Sequence, residues 1–306
     1  MRKVFAFAAG LFLAGIFCLT QAESQMLHLG AGARKIVVAG FQGPGDVVAN
    51  ATFWGGFRGY NAADTADAAD VCLPLDTICA HLTLSGGSVV VPGSLSTCNI
   101  TTVICTIKTL FDKSGANACA GAVPCDMTQA TEANRPTFRP AIASNNCPTT
   151  SLPCMQFNGS QSLGLPNLTA ANIPQPYTGS YVAIRTGATS SFGIVIDGGG
   201  NGVFLGWSNA ANTGLLDCGS VVGTTLSDNA YHAVQNVCNG ASSDLNIDGT
   251  QNILSAGANA FPQAAATIGG TLNLTGNVAE AGVWSVAFST TNSSNMSSNQ
   301  HAYWGF

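Results

Sequence analysis

Charge is scarce in this chain. Asp, Glu, Lys and Arg make up 8% of its 306 residues, against about a quarter in an ordinary globular protein. Apart from Arg2-Lys3 and Arg34-Lys35 there is no run of basic residues, and the formal net charge is −5, so nucleic acid and anionic membranes are excluded as expected partners. Glutamate is rarest, at Glu23, Glu132 and Glu280 alone; the other acids are aspartates. No Cys-x-x-Cys pair occurs and the four histidines (His28, His81, His232, His301) are scattered, which argues against a zinc site. The glycines at 30–32 and 43–45 lack the Gly-Lys-Ser/Thr ending of a phosphate loop and read as flexible chain. No metal or cofactor is expected. Beyond the first two dozen residues no run is apolar enough to span a bilayer.

That first stretch has the layout of a secretory leader: Arg2 and Lys3, an apolar run over 4–19, then the small-residue site Thr20-Gln21-Ala22. Residues 1–22 are expected to be a signal peptide, 23–45 a lead-in and 46–306 a single domain. The mature protein is expected to be secreted, extracellular or periplasmic, with no membrane insertion after cleavage. Cysteine usage agrees. Of eleven cysteines, Cys18 leaves with the leader, and the rest fall as near neighbours: Cys72 and Cys79, Cys98 and Cys105, Cys119 and Cys125, Cys147 and Cys154, Cys218 and Cys238. Connectivity does not follow from spacing alone, but sequential pairing is the economical arrangement, each bridge closing one local loop.

Short apolar runs separated by turn residues dominate the rest: 89–91, 103–111, 155–157 into Asn158-Gly159 (a hairpin signal), 180–185, 192–196, 203–207, 231–237, 244–247 and 279–288. The spacing predicts an all-β sandwich or jelly roll. Helix is expected at the C-terminus, over 292–303 with Ser289 or Thr290 as cap, and as a short turn over 62–69.

Five segments carry a family resemblance. Phe57-Arg58-Gly59-Tyr60-Asn61-Ala62-Ala63, then Leu110-Phe111-Asp112-Lys113-Ser114-Gly115, then Met127-Thr128-Gln129-Ala130-Thr131 through Asn134-Arg135-Pro136 together resemble the catalytic domain of α-L-arabinofuranosidase B. Tyr231-His232-Ala233-Val234 through Ile247-Asp248-Gly249 is similar to the hairpin of laminin-G-like and concanavalin A-like jelly rolls. Ile268-Gly269-Gly270 through Ala279-Glu280-Ala281-Gly282 also resembles the arabinofuranosidase family. The resemblance covers most of 46–306. It implies a concanavalin A-like two-sheet jelly-roll sandwich with a short C-terminal helix and local disulfides, directed at polysaccharide or glycan.

A retaining glycosidase needs two carboxyl groups about 5–5.5 Å apart. Where the resemblance places the nucleophile stands Asn201, and where it places the acid stands Thr271. An amide and a hydroxyl can bind a sugar but can neither form a glycosyl ester nor deliver a proton at neutral pH. The remaining acids with a claim on catalysis are Asp197, which opens a glycine-rich turn, Asp217 beside Cys218, and Glu280 in mid-strand; each has a structural reading that is favoured. Trp207 is the candidate sugar-stacking ring, with core packing the rival reading, and Asn201 and Thr271 are candidate sugar-binding groups. Asp197 with Asn201 falls short of the six to eight oxygens of a calcium site. The expected function is a carbohydrate-binding jelly roll whose family carboxylates have been replaced. The alternatives are an active arabinofuranosidase-like hydrolase with relocated acids and a structural surface or adhesion protein.

Overall fold

The computed structural model describes residues 41–99, 101–119, 121–141, 147–148, 152–165, 173–186, 191–199, 202–262, 266–270, 272 and 274–306. The expected signal peptide and the lead-in up to residue 40 lie outside the described residues, as do Asn201 and Thr271.

The chain is all-β, with antiparallel pairing throughout its described ladders. The strand Thr275–Trp284 is central to one layer. It pairs with Tyr177–Arg185 on one side, and on the other with Ala51–Gly56 and Cys154–Asn158 in succession. Beyond Tyr177–Arg185 come His232–Cys238 and Ser243–Ile247. The facing layer runs Thr267–Ile268, Gly193–Asp197, Val203–Trp207, Thr213–Cys218, Val221–Thr225. The short strands Thr137–Arg139, Thr106–Leu110, Met127–Thr128 and Leu163–Gly164 carry the hydrogen-bond ladder from one layer to the other.

The layers meet where side chains are smallest. A Cβ on Gly179 would lie 2.4 Å from Leu205 Cδ1 and 3.5 Å from Ile196 Cδ1, so glycine at this point of Tyr177–Arg185 lets the facing strands close on each other. Alternation along that strand then sends Tyr177 and Tyr181 inward. Thr178 and Ser180 face the opposite way, where they are buried too. The C-terminal helix, Thr290–Trp304, covers Ser180, its Gln300 amide meeting Ser180 Oγ at 3.2 Å, and the segment before it holds Thr178, whose hydroxyl donates to Val286 O and accepts from the Phe288 N–H. Both faces of the strand are covered, and all nine of its residues are buried, the polar Thr178 and Ser180 included.

That helix starts at Ser289, whose hydroxyl accepts from the Asn292 N–H at 3.1 Å, and ends at Gly305 in the left-handed region. The expected helix is therefore present, one turn longer. Its buried stripe is Ser293, Met296, Ser297, Gln300 and Trp304, at helical spacing but mostly polar. No helix among the described residues is long and apolar enough to cross a membrane.

Five disulfides join the cysteines sequentially, Cys72–Cys79, Cys98–Cys105, Cys119–Cys125, Cys147–Cys154 and Cys218–Cys238. The first four staple local loops; Cys218–Cys238 ties the two layers together. Three expectations need correction. Residues 62–69 hold no helix, because Asn61 and Asp64 side chains accept from the Ala63 and Ala66 N–H groups and fold the chain into turns. Asn158-Gly159 does turn the chain, but Cys154–Asn158 pairs with Thr275–Trp284 and Thr137–Arg139, not with the strand that follows it. Gly43-Pro44-Gly45 is packed, not loose. It opens the four-residue helix Pro44–Val47, and a Cβ on Gly43 would sit 2.3 Å from Tyr60 O.

Candidate functional site

Residues opposite one another in antiparallel strands share a face. Thr267 stands opposite Asp197, Asp197 opposite Phe204, Phe204 opposite Asp217, and Asp217 opposite Val221. These five side chains therefore form one row on the face of the second layer turned away from the core, while Ile196, Leu205 and Leu216 line the core side. The two aspartates are two strands apart, which sets their backbones about 10 Å from each other, with the half-buried ring of Phe204 between them.

Both carboxylates are engaged where they stand. Asp197, 2% exposed, accepts from the Gly199 N–H at 2.7 Å; Asp217, 7% exposed, accepts from the Gly219 N–H at 2.9 Å. Gly199 and Gly219 lie at φ 74° and 105°, so each aspartate closes a turn that glycine allows. Burial pushes the Asp217 carboxyl above the ordinary range, against the pull of the Gly219 N–H. On the core side of the sheet, the buried hydroxyl of Tyr177 makes no hydrogen bond among the described residues, and burial together with the Asp217 charge pushes its ionisation well up. Gly270 packs against the other acid: a Cβ there would be 3.2 Å from Asp197 Cβ and 3.4 Å from its Oδ2. The chain thus brings Gly202 and Gly270 to the same end of the sheet as Asp197.

Two contributors to this row were not singled out from sequence. Phe204 was read only as part of a strand. Asn259 packs its amide 2.7 Å from where a Gly219 Cβ would be, and its N–H donates to Cys218 O at 2.7 Å. Strand register brings Phe204 to the row, and a loop folding back on Cys218 sets Asn259 beside it; a single chain carries no local signal of either.

Glu280 is elsewhere. It is fully buried on the other layer, its carboxylate accepting from Arg58 Nε and, at 2.8 Å, from Arg58 Nη2. Gln300 Nε2 donates to it at 2.8 Å and Trp304 Nε1 at 2.9 Å. Arg58 also donates to Asn299 Oδ1 at 2.8 Å and lies over the Tyr303 ring, 5.0 Å from its centroid. The arrangement anchors the C-terminal helix to the sheet. Beside it, Lys113 donates to Gly56 O and Arg58 O and faces the Trp54 ring; burial draws its amine down to about 7.

Trp207 is fully buried. Its ring packs near Tyr181, with centroids 6.4 Å apart, and its N–H points at Ser227 O, 3.4 Å away, so neither face of the indole is open to a sugar. The other three tryptophans are equally enclosed. Among the described residues, Cys72, Asp76 and Cys79 are grouped closely enough to suggest a metal, but the two sulfurs are joined in a disulfide and offer no thiolate.

The fold has solved relatives. It is similar to an arabinofuranosidase in complex with arabinofuranosyl-α-1,2-xylobiose, with TM-score 0.60 at 13% identity. It is likewise similar to a GH54 α-L-arabinofuranosidase mutant soaked with 4-nitrophenyl α-L-arabinofuranoside (0.60, 13%) and to one soaked with a cyclic sulfate inhibitor (0.56, 12%). In each case 84% of this chain is covered, and it spans 64% of the length of that protein. At such identity the likeness is one of fold. No family model and no curated protein matches the sequence.

Proposed function

We propose that this chain is a secreted, glycan-binding jelly roll in which the arabinofuranosidase architecture has been kept and the catalytic carboxylates replaced. The observation that supports this most directly is the row Thr267, Asp197, Phe204, Asp217. Its two acids are set about 10 Å apart at the backbone, a spacing that does not of itself bring their carboxyls to the roughly 5–5.5 Å of double displacement. Each acid also holds its own turn. Asn201 and Thr271, where the resemblance puts the acids, suit hydrogen bonding to hydroxyls, and the Phe204 ring offers an apolar face for a sugar. The leader at 1–22 supplies the export this role requires.

The test is binding of arabinan and arabinoxylan oligosaccharides by calorimetry, with sugar release followed in parallel. Binding without release, weakened about tenfold by Phe204→Ser, is the expected result. Failure to bind any polysaccharide in a broad glycan array removes the reading.

A second reading has its own support. Single-displacement glycosidases hold their carboxyls about 6.5–9.5 Å apart, a span within reach of side chains two strands apart, and burial raises Asp217 in the direction a general acid needs. On this reading, arabinose is released with inversion from an aryl α-L-arabinofuranoside, and Asp197→Asn or Asp217→Asn abolishes the release. No release from a broad aryl-glycoside panel excludes it.

A further inference from the structure

Where the loop after Val221–Thr225 crosses to His232–Cys238 of the other layer, three side chains stand in a hydrogen-bonded line. Ser227 Oγ lies 2.8 Å from His232 Nε2, and His232 Nδ1 lies 2.6 Å from Asp248 Oδ2. The order of atoms matters. An imidazole that donates its Nδ1 proton to a carboxylate presents the Nε2 lone pair to whatever is on its other side, and here that is a serine hydroxyl. A nucleophile within reach of a base, with the base oriented by a third group, is the arrangement that makes a hydroxyl attack carbonyl carbon. We propose that Ser227, His232 and Asp248 form an acyl-transfer site that cleaves carboxylic esters, independent of the glycan-binding reading.

The surroundings hold each member in place. Asp248 follows the strand Ser243–Ile247 at φ 50°. Its Oδ1 accepts from the Ala233 N–H at 2.9 Å and faces His301 Nε2 at 3.1 Å. Although burial opposes it, the hydrogen bonds from His232 and the Ala233 N–H hold the Asp248 carboxyl below its ordinary range, so it stays ionised as an orienting group should. His232 begins the strand His232–Cys238, and its side chain is only 12% exposed.

The turn bearing Ser227 is fixed from both sides. The Asp228 N–H donates to Asn212 Oδ1 at 2.9 Å, and the Asp228 carboxylate takes the Asn212 N–H at 2.9 Å and Arg185 Nε at 2.6 Å. The Asn229 N–H donates to Arg185 O at 2.8 Å. Arg185 is in turn fastened to Ser208 O and Ala210 O. Ser227 itself is half-buried on an outer loop, which suits an ester group presented from outside, such as an acyl substituent on a larger molecule.

The step balances without an added reactant other than water. Ser227 Oγ bonds to the ester carbonyl carbon as its proton passes to His232 Nε2. The carbon–alkoxy bond breaks and the alcohol leaves with that proton, giving an acyl-serine. Water, deprotonated by the same nitrogen, then releases the carboxylic acid and restores the hydroxyl.

The experiment uses the whole mature chain, disulfides intact, and a fluorophosphonate probe, with mass spectrometry locating the adduct and 4-nitrophenyl acetate reporting turnover. Phosphonylation is expected at Ser227. It should be absent in Ser227→Ala and about 100-fold slower in His232→Gln, with 4-nitrophenolate release falling in parallel and the melting temperature of Ser227→Ala unchanged. A wild-type chain left unlabelled at Ser227, under conditions that label a reference serine esterase to completion, overturns the proposal. So does labelling that survives His232→Gln at full rate.

Discussion

Replacing Arg58 by methionine tests whether the C-terminal helix is held by a buried ion pair. Arg58 and Glu280 are both fully buried, so neither is screened by solvent. In Arg58→Met the Glu280 carboxylate keeps the neutral donors of Gln300 and Trp304 and loses its countercharge. Breaking one side of a buried pair costs about 3–5 kcal/mol. An independent ceiling gives nearly the same figure. The variant can escape by protonating the carboxyl, which for an ordinary glutamate at pH 7 costs about 3.7 kcal/mol.

That escape has a sign. A carboxyl protonated in the folded variant but ionised when unfolded makes the variant gain on the wild type as pH falls, so the penalty should shrink by about 2–3 kcal/mol between pH 7 and pH 5. The assay is equilibrium unfolding in guanidinium chloride at both pH values with the disulfides intact. Arg58→Met with Glu280→Met should recover most of the loss, since an apolar pair leaves no charge behind. A penalty below about 1 kcal/mol at pH 7, or one that stays constant down to pH 5, refutes the reasoning.

Asp76 should report in the acid range. Hydrogen bonding to Arg135, at 2.5 Å, and then to Lys108 holds its carboxyl at about 2, below the ordinary 3.8. The stabilisation is therefore complete above about pH 4 and lost as pH falls through about 2. Melting curves of wild type and Asp76→Asn should converge over that window, and parallel curves would contradict the assignment. Removing the bridge between the layers with Cys218→Ala and Cys238→Ala, which frees a 20-residue separation, should cost about 3 kcal/mol in denaturant unfolding; a change below about 1 would mean the layers hold together without it. Tyr177→Phe deletes a buried hydroxyl with no hydrogen-bond partner among the described residues, so stability should be unchanged or higher by about 1 kcal/mol. A loss of 2 kcal/mol or more would place a hidden partner at that oxygen.

Much of the architecture could be read from residue order because its causes are local. Val203–Trp207 is a short apolar run and Ser243–Ile247 ends in the alternating Leu-Asn-Ile, both between glycine turns, Ser289 caps the helix that follows it, and cysteines six to twenty positions apart are joined to their neighbours. Readings failed where a distant partner overrode the local preference. Asn158-Gly159 has the composition of a hairpin turn, but the edge of Cys154–Asn158 was taken by Thr275–Trp284, more than a hundred residues on. Gly43-Pro44-Gly45 has the composition of loose chain, yet its glycines let the backbone pack against Tyr60.

The sequence by itself determined that the chain is all-β, poor in charge, rich in local cysteine pairs and nearly empty of glutamate, because composition and turn chemistry act within a few residues. Only the tertiary structure decided what each polar group faces. It lined up Asp197, Phe204 and Asp217 across three strands, closed Glu280 into contact with Arg58, 222 positions away, sealed Trp207 in the core, and set Ser227 against His232 and Asp248. The physical reason is strand register: one hydrogen-bonded pairing chooses which side chains share a face, and that choice is made by packing between segments far apart in the chain.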